Sequence, residues 1–164
     1  MARTRQSGGT PATATLDRAG IRYAVRAYDH DPAATSYGTE AAEALGVEPA
    51  RVFKTLLVQG ERELSVGIVP VDGQLDLKAM AAALGLKRVS MAEVATAQRV
   101  TGYVVGGISP IGQKRSLATV LDASAEQHDT ILVSGGRRGL DLELAPSDLL
   151  AVTRGAVAGI ARRP

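Results

Sequence analysis

Two apolar segments separated by a short polar turn constrain the fold of this 164-residue chain more than any other feature. Residues 51–59 (RVFKTLLVQ) and 63–71 (ELSVGIVPV) both have the composition of β-strands, and Gly60 lies between them. This pattern predicts a β-hairpin. Alternate residues of the first strand point to opposite faces, and both faces are largely apolar. We therefore expect this strand to be central in a sheet.

Lys54 lies within this strand, so we predict that it is at least half-buried. A lysine is rarely buried without a partner or a functional purpose. A cation on a strand that lines a cleft suits an anionic ligand such as a phosphate. The structural alternative is a lysine at the end of an edge strand whose ammonium group extends into solvent.

The rest of the chain alternates between helical and strand-like segments. The pattern predicts a short helix that is capped by Thr10 or Thr13 and reaches residue 18, and a strand-like run at residues 103–105. The other predicted helices are 39–45, 76–84, 90–97 and 146–152, and the other strands are 21–28, 118–121, 130–134 and 140–144. This mixture predicts a single α+β domain with a mixed central sheet, curled toward a barrel and flanked by short helices. Residues 1–9 are predicted to be a flexible tail, and residues 10–164 form the domain.

Composition excludes several kinds of chemistry. The chain has no cysteine and two histidines, which excludes disulfides, thiolate metal sites, a cysteine nucleophile and a histidine-rich metal site. We therefore expect no metal and no cofactor. With one Phe and no Trp, the core must be packed from Ala, Val, Leu and Ile. No apolar run reaches the length of a membrane span, so we expect a soluble, cytoplasmic protein without a membrane partner.

Basic residues occur in pairs, two of which adjoin glycine-rich loops. The net charge is only +2, and the isoelectric point is about 9.1. A locally basic face is compatible with a nucleic-acid partner, although such pairs also occur as solvated surface.

Residues 102–114 (GYVVGGISPIGQK) have the composition of a binding loop. Three glycines, a proline and a serine fall within Gly106–Gly112, which leaves backbone N–H groups open to approach. The spacing matches neither of the glycine-rich phosphate or dinucleotide motifs. Ser109 has no histidine nearby to activate it, since both histidines are predicted to lie on the surface. Backbone N–H donors of this kind stabilise an oxyanion.

A second glycine-rich turn, residues 134–141 (SGGRRGLD), joins two predicted strands. Asp141 lies just inside the second of these strands and shares a face with Glu143. The segment is either a mobile hairpin tip or part of a site. A semi-buried lysine, a backbone-rich loop and this turn together suggest acyl transfer by a protein that supplies no nucleophile.

Read together, these segments resemble the bacterial YbaK family, free-standing relatives of the editing domain inserted in bacterial prolyl-tRNA synthetases. The resemblance extends over about residues 12–163. It is carried by His30-Asp31-Pro32, by the segments 52–58 (VFKTLLV), 73–78 (GQLDLK) and 102–113, and by the turn 134–141.

The resemblance implies roles for ten residues. Lys54 is the essential lysine near the terminal adenosine and its phosphates, with Thr55 beside it in the substrate site. Gly106 and Gly107, with the following residues, match the backbone loop that contacts the aminoacyl ester. The implied catalytic set is Lys54, Gly106, Gly107 and Asp141, and the implied substrate-binding set is Tyr28, Tyr37, Thr55, Ile108, Ser109 and Ser134.

The activity that the resemblance implies is removal of cysteine from mischarged Cys-tRNA(Pro). The thiol of the substrate attacks its own ester, and a thiolactone leaves, so no enzyme nucleophile is needed. The implied partners are the acceptor end of proline tRNA and prolyl-tRNA synthetase. Two alternatives stay open. One is a deacylase for another small amino acid, such as alanine, that uses water, and the other is a noncatalytic module that binds tRNA or the synthetase.

Overall fold

The computed structural model describes residues 9–163 of the chain. These residues form five α-helices and ten β-strands. The helices are α1 (Pro11–Ala19), α2 (Tyr37–Leu45), α3 (Leu77–Leu84), α4 (Val94–Thr101) and α5 (Pro146–Thr153). The strands are β1 (Ala24–Ala27), β2 (Phe53–Gln59), β3 (Leu64–Pro70), β4 (Gln74–Leu75), β5 (Ser90–Met91), β6 (Thr119–Asp122), β7 (Ile131–Arg137), β8 (Leu140–Leu144), β9 (Ala156–Ala158) and β10 (Ala161–Arg162). Each of these helices is much too short to cross a bilayer.

The strands form one mixed sheet and two smaller antiparallel ones. The five-stranded sheet has the order β5-β2-β3-β6-β9, the three-stranded sheet β1-β8-β7, and β4 pairs with β10. In the mixed sheet, β2 is antiparallel to both of its neighbours, whereas β6 is parallel to both β3 and β9. The α+β class with a mixed sheet is therefore confirmed. Among the described residues these pairings close no barrel, and the curl of the sheet stays a prediction.

The predicted hairpin is confirmed as β2 and β3, which pair along all seven residues of each strand. The central position of β2 is also confirmed, since it is second of five strands. Its outer neighbour β5 nevertheless pairs only with Val58 and Gln59. The first half of β2, which contains Lys54, therefore has an open edge. A single parallel bridge, between Val52 and Leu132, links this end of β2 to the three-stranded sheet.

The core is packed almost entirely from aliphatic side chains, as the composition predicts. The largest buried cluster combines residues of α1, both larger sheets and α5, including Leu16, Phe53, Leu142 and Leu149. Helix α1 begins at Pro11 with Thr10 as its N-cap, and the hydroxyl of Thr10 accepts the N–H of Thr13. This hydroxyl lies 2.5 Å from the carbonyl oxygen of Gly135, a bond that ties the start of α1 to β7.

Two predicted elements are wrong. Residues 90–97 are not one helix, because Ser90 and Met91 pair with β2 and helix α4 begins only at Val94. Residues 103–105 are not a strand, because side chains satisfy their backbone: Thr101 accepts the N–H of Tyr103, and Gln98 accepts that of Val105.

The predicted strand 21–28 is shorter, covering Ala24–Ala27. Of the predicted tail, residues 1–8 lie outside the described residues. The division into a tail and a domain over residues 10–164 therefore stays a prediction.

Candidate functional site

A cleft of about 320 Å³ lies where the first half of β2 faces the start of α2, the loop 102–114 and the start of β8. It brings together eight of the ten residues singled out in the sequence. These eight are Tyr28, Tyr37, Lys54, Thr55, Gly106, Ile108, Ser134 and Asp141. They come from distant parts of the chain, so their convergence is a property of the fold.

Lys54 and Thr55 reach the cleft because the edge of β2 is open beside them. Lys54 is half-buried, as predicted. Burial lowers the pKa of its ammonium group, and the nearby carboxylate of Asp72 opposes that change. The ammonium group therefore gains from an additional anion in the cleft.

Thr55 presents unused hydrogen-bonding groups at this open edge. Its hydroxyl is buried and has no hydrogen-bond partner within residues 9–163. The carbonyl oxygen of Val52 points toward the β3 side and accepts the N–H of Val71. The carbonyl oxygen of Leu57 points to the opposite side and accepts the N–H of Ala92. By the alternation of an antiparallel ladder, the backbone groups of Thr55 point the same way as those of Leu57, toward the open edge. Buried polar groups without partners are costly, so this position suits a polar ligand.

Asp141 is a buried carboxyl group beside these residues, only 6% exposed. It lies opposite Ser134 on one neighbouring strand and Arg26 on the other. Burial raises the pKa of Asp141 to about 7, although the charge of Arg26 acts in the opposite direction.

The guanidinium group of Arg26 is held elsewhere. Its Nη1 atom lies 2.5 Å from Glu143 Oε1, and the other oxygen of Glu143 accepts from Arg51 and Thr130. These contacts also lower the pKa of Glu143, the Thr130 hydrogen bond being the largest cause. The ion pair of Arg26 is therefore formed with Glu143 and not with Asp141.

Two tyrosines, Tyr28 and Tyr37, line the cleft, and both are partly buried. Burial raises the pKa of Tyr28 to about 12, and the carboxyl of Asp141 adds to that effect. Its backbone N–H donates to the carbonyl of Gly139 over 2.9 Å, which fixes it to the turn before β8. Tyr28 is therefore a neutral phenol at physiological pH.

Tyr37 is the first residue of α2, and two polar side chains lie close to its ring. The His30 ring lies 5.9 Å away, and the Arg138 guanidinium lies 5.1 Å from the centre of the Tyr37 ring. His30 Nδ1 is 2.9 Å from Glu40 Oε1. The prediction of His30 as a surface residue is wrong, because its side chain is only 21% exposed.

Gly106 lies where the loop 102–114 enters the cleft. Its φ of +88° is one that L side chains rarely adopt, and a Cβ atom would come within 2.8 Å of the Tyr37 ring. Arg138 Nε donates to the carbonyl of Val105 over 2.8 Å. In a trans peptide the N–H of Gly106 points opposite to that carbonyl. Arg138 therefore sets the direction of the Gly106 N–H.

Gly107 and Ser109 do not line the cleft. The N–H of Gly107 donates to Val104 over 2.9 Å, and a Cβ atom on it would come within 2.7 Å of the Arg137 backbone. Ser109 is fully buried and accepts the N–H of Ile111. By contrast, within the described residues neither Gly106 nor Ile108 donates its N–H to a backbone carbonyl. The geometry favours these two groups as free donors in the loop.

Sequence reasoning placed Tyr37 in the site but did not recognise it as the start of α2. It placed the helix at residue 39, but the helix begins at Tyr37 with Ser36 as its cap. The capping serine three residues before Thr39 is a signal that was present. The other lining residues that were not singled out are Thr35, Ser36, Gly38, Ala41, Val52, Phe53, Leu56 and Val105.

The arrangement suits stabilisation of an oxyanion in a small, partly apolar cleft. Backbone donors, a cation, a buried carboxyl and an unpartnered hydroxyl converge on one space. The Ser134 hydroxyl accepts the N–H of Gly136, and among the described residues no hydrogen bond joins it to a histidine. No group of three or more potential metal ligands occurs within residues 9–163.

Comparison with known proteins gives one family for most of the chain. Residues 30–152 match the family model of the aminoacyl-tRNA editing domain. The chain is 43% identical over 120 residues to EbsC of Enterococcus faecalis, which is named as a proposed Cys-tRNA(Pro)/Cys-tRNA(Cys) deacylase. That alignment covers 73% of each chain.

Two further similarities agree with this match. The chain is 30% identical to the uncharacterised protein YwhH of Bacillus subtilis over 67% of this chain and 70% of that one. Its fold is similar to a crystal structure described as a proposed trans-editing enzyme for prolyl-tRNA synthetase. The TM-score is 0.80 with 24% identity, and 99% of each chain is covered, a likeness that concerns the fold.

Proposed function

The chain belongs to the aminoacyl-tRNA editing domain family, and we propose that it is a trans-editing deacylase that removes cysteine from mischarged Cys-tRNA(Pro). One observation carries the proposal. A single cleft holds Lys54, Gly106 and Asp141 together, in a chain without any cysteine. The 43% identity to EbsC supports cysteine as the amino acid.

In the proposed reaction the substrate supplies its own nucleophile. The sulfur of the esterified cysteine attacks the ester carbonyl carbon, forming a C–S bond and a tetrahedral oxyanion. The C–O bond to the tRNA then breaks, and the proton lost by the thiol ends on the released terminal hydroxyl of the tRNA. The product is a cyclic thioester, the thiolactone. Intramolecular attack gains from proximity, so the protein has only to orient the ester and stabilise the charge.

We assign stabilisation of the oxyanion to backbone N–H groups of the loop 102–114. The Gly106 N–H, directed by Arg138, and the Ile108 N–H are the two candidate donors. Gly107 and Ser109, which the family resemblance places in the same loop, would act by holding its shape. Gly107 packs against the Arg137 backbone, and Ser109 accepts hydrogen bonds inside the loop.

The remaining side chains would bind the aminoacyl group and the terminal nucleotide. The Asp141 carboxylate is suited to the α-ammonium group of the amino acid, with Ser134 beside it. The Thr55 hydroxyl would gain the partner it lacks. Lys54 would face a phosphate, and the rings of Tyr28 and Tyr37 would border the cleft.

A deacylation assay with proline tRNA charged with Cys, Ala or Ser tests the proposal. We expect rapid loss of cysteine only, with thiolactone as the first product, because Ala and Ser esters lack a thiol. Equal clearance of Ala-tRNA(Pro) with free alanine as product would instead identify a deacylase that uses water. The absence of turnover on all three would leave a noncatalytic module.

Lys54→Ala provides the matched test of the site. We expect it to lower the deacylation rate at least tenfold, since it removes the only ammonium group in the cleft. Lys87→Ala, an exposed lysine outside this cleft, is the control and should keep the wild-type rate. Equal rates for wild type and Lys54→Ala would contradict the assignment.

The same proposal includes the cellular setting. We infer that the protein acts in the cytoplasm on the acceptor end of proline tRNA, alongside prolyl-tRNA synthetase. A domain of this size contacts little of a tRNA, so discrimination among tRNAs would depend on the synthetase. The deacylation rates of Cys-tRNA(Pro) and Cys-tRNA(Cys), each measured with and without added synthetase, test that dependence. If the synthetase leaves the ratio of these two rates unchanged, the dependence is excluded.

A further inference from the structure

A second cleft, of about 430 Å³, begins at Lys54 and extends away from the candidate active site. Lys54 lines both clefts, so the two spaces are adjacent. The second cleft is bordered by the segment after β3, with Asp72, Gly73 and Gln74, and by Arg162 and Arg163. Neither arginine belongs to the site described above.

The backbone that carries these arginines is anchored at several points. Ala161 and Arg162 form β10, which pairs with Leu75 and Gln74 of β4. The Asp122 carboxylate, only 5% exposed, accepts the N–H groups of Ile160 and Ala161 over 2.9 and 2.8 Å. These bonds also lower the pKa of Asp122, against the effect of its burial. Arg162 therefore extends from a fixed strand.

The charges of the second cleft are unbalanced. Three cationic side chains, Lys54, Arg162 and Arg163, line it together with one carboxylate, Asp72. Arg163 Nη2 lies 3.5 Å from Asp72 Oδ1. Within residues 9–163, Arg162 forms no ion pair. A guanidinium group on an anchored strand, without a carboxylate partner, suits a phosphate, which it binds with two parallel hydrogen bonds.

We propose that the second cleft binds phosphate groups of the single-stranded RNA end that leads into the first cleft, with Arg162 and Arg163 as the contacts. This inference rests on the proposed function. The first cleft has Lys54 as its only cationic lining residue and holds the reacting nucleotide. The preceding nucleotides must leave that space, and the basic surface that continues from Lys54 is the second cleft.

Asp72 has an opposing role in this arrangement. Its carboxylate holds Arg163 and acts on the ammonium group of Lys54. It would also repel an RNA phosphate at the same place. Removing its charge should therefore strengthen RNA binding, whereas removing either arginine should weaken it.

Binding of an uncharged RNA minihelix that ends in CCA tests this inference. Fluorescence anisotropy at several KCl concentrations gives Kd and its salt dependence for wild type, Arg162→Gln, Arg163→Gln and Asp72→Asn. We expect each arginine variant to weaken binding about three- to tenfold and to reduce the slope of log K against log salt by about 1. Asp72→Asn should bind more tightly than wild type.

Arg88→Gln is the matched control, because Arg88 is an exposed arginine in a separate cleft beside β5. It should bind RNA like wild type. The inference is overturned if wild type does not bind the minihelix, if the Arg162 and Arg163 variants keep its Kd and salt slope, or if Arg88→Gln loses as much affinity. The melting temperature of each variant should stay unchanged, since both arginines are exposed.

The binding measurement needs no catalysis, so it separates two kinds of failure. If the protein binds the minihelix through Arg162 but releases no cysteine, the proposed function is refuted and phosphate binding in the second cleft is supported. If the protein deacylates Cys-tRNA(Pro) and neither arginine substitution changes its KM, only the proposal of phosphate binding in the second cleft is refuted.

Discussion

At the scale of single residues, Asp141 is held in an environment that disfavours its charge. It is buried, and the nearest guanidinium group, that of Arg26, is bonded to Glu143 instead. A carboxyl whose pKa is raised to about 7 is typical of functional sites, where such perturbed groups cluster. Ionisation of Asp141 therefore lowers the free energy of unfolding.

Asp141→Asn should make the protein more stable at pH 8. The pKa of this carboxyl is higher in the folded state than its ordinary value of 3.8, so the wild-type fold loses stability as pH rises from about 4 to about 7. The full difference corresponds to on the order of 4 kcal/mol, an upper value. Urea unfolding at pH 8 and pH 4 measures it. We expect the variant to gain a few kcal/mol at pH 8 and almost nothing at pH 4.

The exposed residue Asp129 offers a control for this prediction. Asp129→Asn should change the unfolding free energy by less than about 0.5 kcal/mol at either pH. A destabilised Asp141→Asn protein at pH 8 would mean that the ionised carboxylate has a favourable partner.

At the scale of elements, the loop 102–114 is positioned by side chains outside it. Arg138, from the turn between β7 and β8, holds the carbonyl of Val105, and Gln98 of α4 holds its N–H. The first bond holds the peptide group that carries the Gly106 N–H, and the second holds the peptide group before it. Arg138 is therefore a positioning residue for the proposed oxyanion donor.

Arg138→Gln should lower kcat about tenfold to a hundredfold and leave KM almost unchanged. The reason is that a misdirected Gly106 N–H stabilises the transition state less, whereas substrate contacts elsewhere persist. Steady-state deacylation of Cys-tRNA(Pro) measures both constants. Arg138→Lys should recover part of the rate, because its ammonium group can still donate to Val105.

Arg115→Gln serves as the control, since Arg115 is an exposed arginine that follows the same loop. It should keep the wild-type kcat. A rise in KM with unchanged kcat for Arg138→Gln would indicate that Arg138 binds RNA instead of orienting the loop.

Local signals predicted most of the elements. The β2–β3 hairpin and the helix capped by Thr10 follow from patterns within about ten residues. The prediction for residues 90–97 is wrong because their backbone partner lies in a distant strand, and the prediction for residues 103–105 is wrong because side chains bond their backbone. Ala92 bonds to Leu57 of another element, and the side chain of Gln98 satisfies Val105.

At the scale of the whole molecule, the two larger sheets meet beside the cleft. Val52 forms a bridge to Leu132, and both belong to a small buried cluster with Ala41 and Ala42 of α2. This cluster packs α2 against both sheets. The walls of the candidate site are therefore held together by packing as well as by hydrogen bonds.

Leu132→Ala should destabilise the protein by about 2–5 kcal/mol, because it leaves a cavity in this fully buried cluster. Urea unfolding measures the loss. Leu86→Ala is the control, since Leu86 is 40% exposed and its truncation should cost less than about 1 kcal/mol. Similar losses for the two variants would contradict the role of the cluster.

Sequence by itself determined the α+β class, the hairpin, and half of the residues that line the candidate site. Hydrophobic periodicity and glycine positions are local properties, so they can be read along the chain. Tertiary structure decided which backbone groups are free. Gly106 and Gly107 are neighbours of the same residue type, yet Gly106 borders the cleft, whereas the N–H of Gly107 donates to Val104 inside the loop. It also brought Arg162 beside Lys54, more than a hundred residues earlier, because the pairing of β10 with β4 is set by long-range contacts.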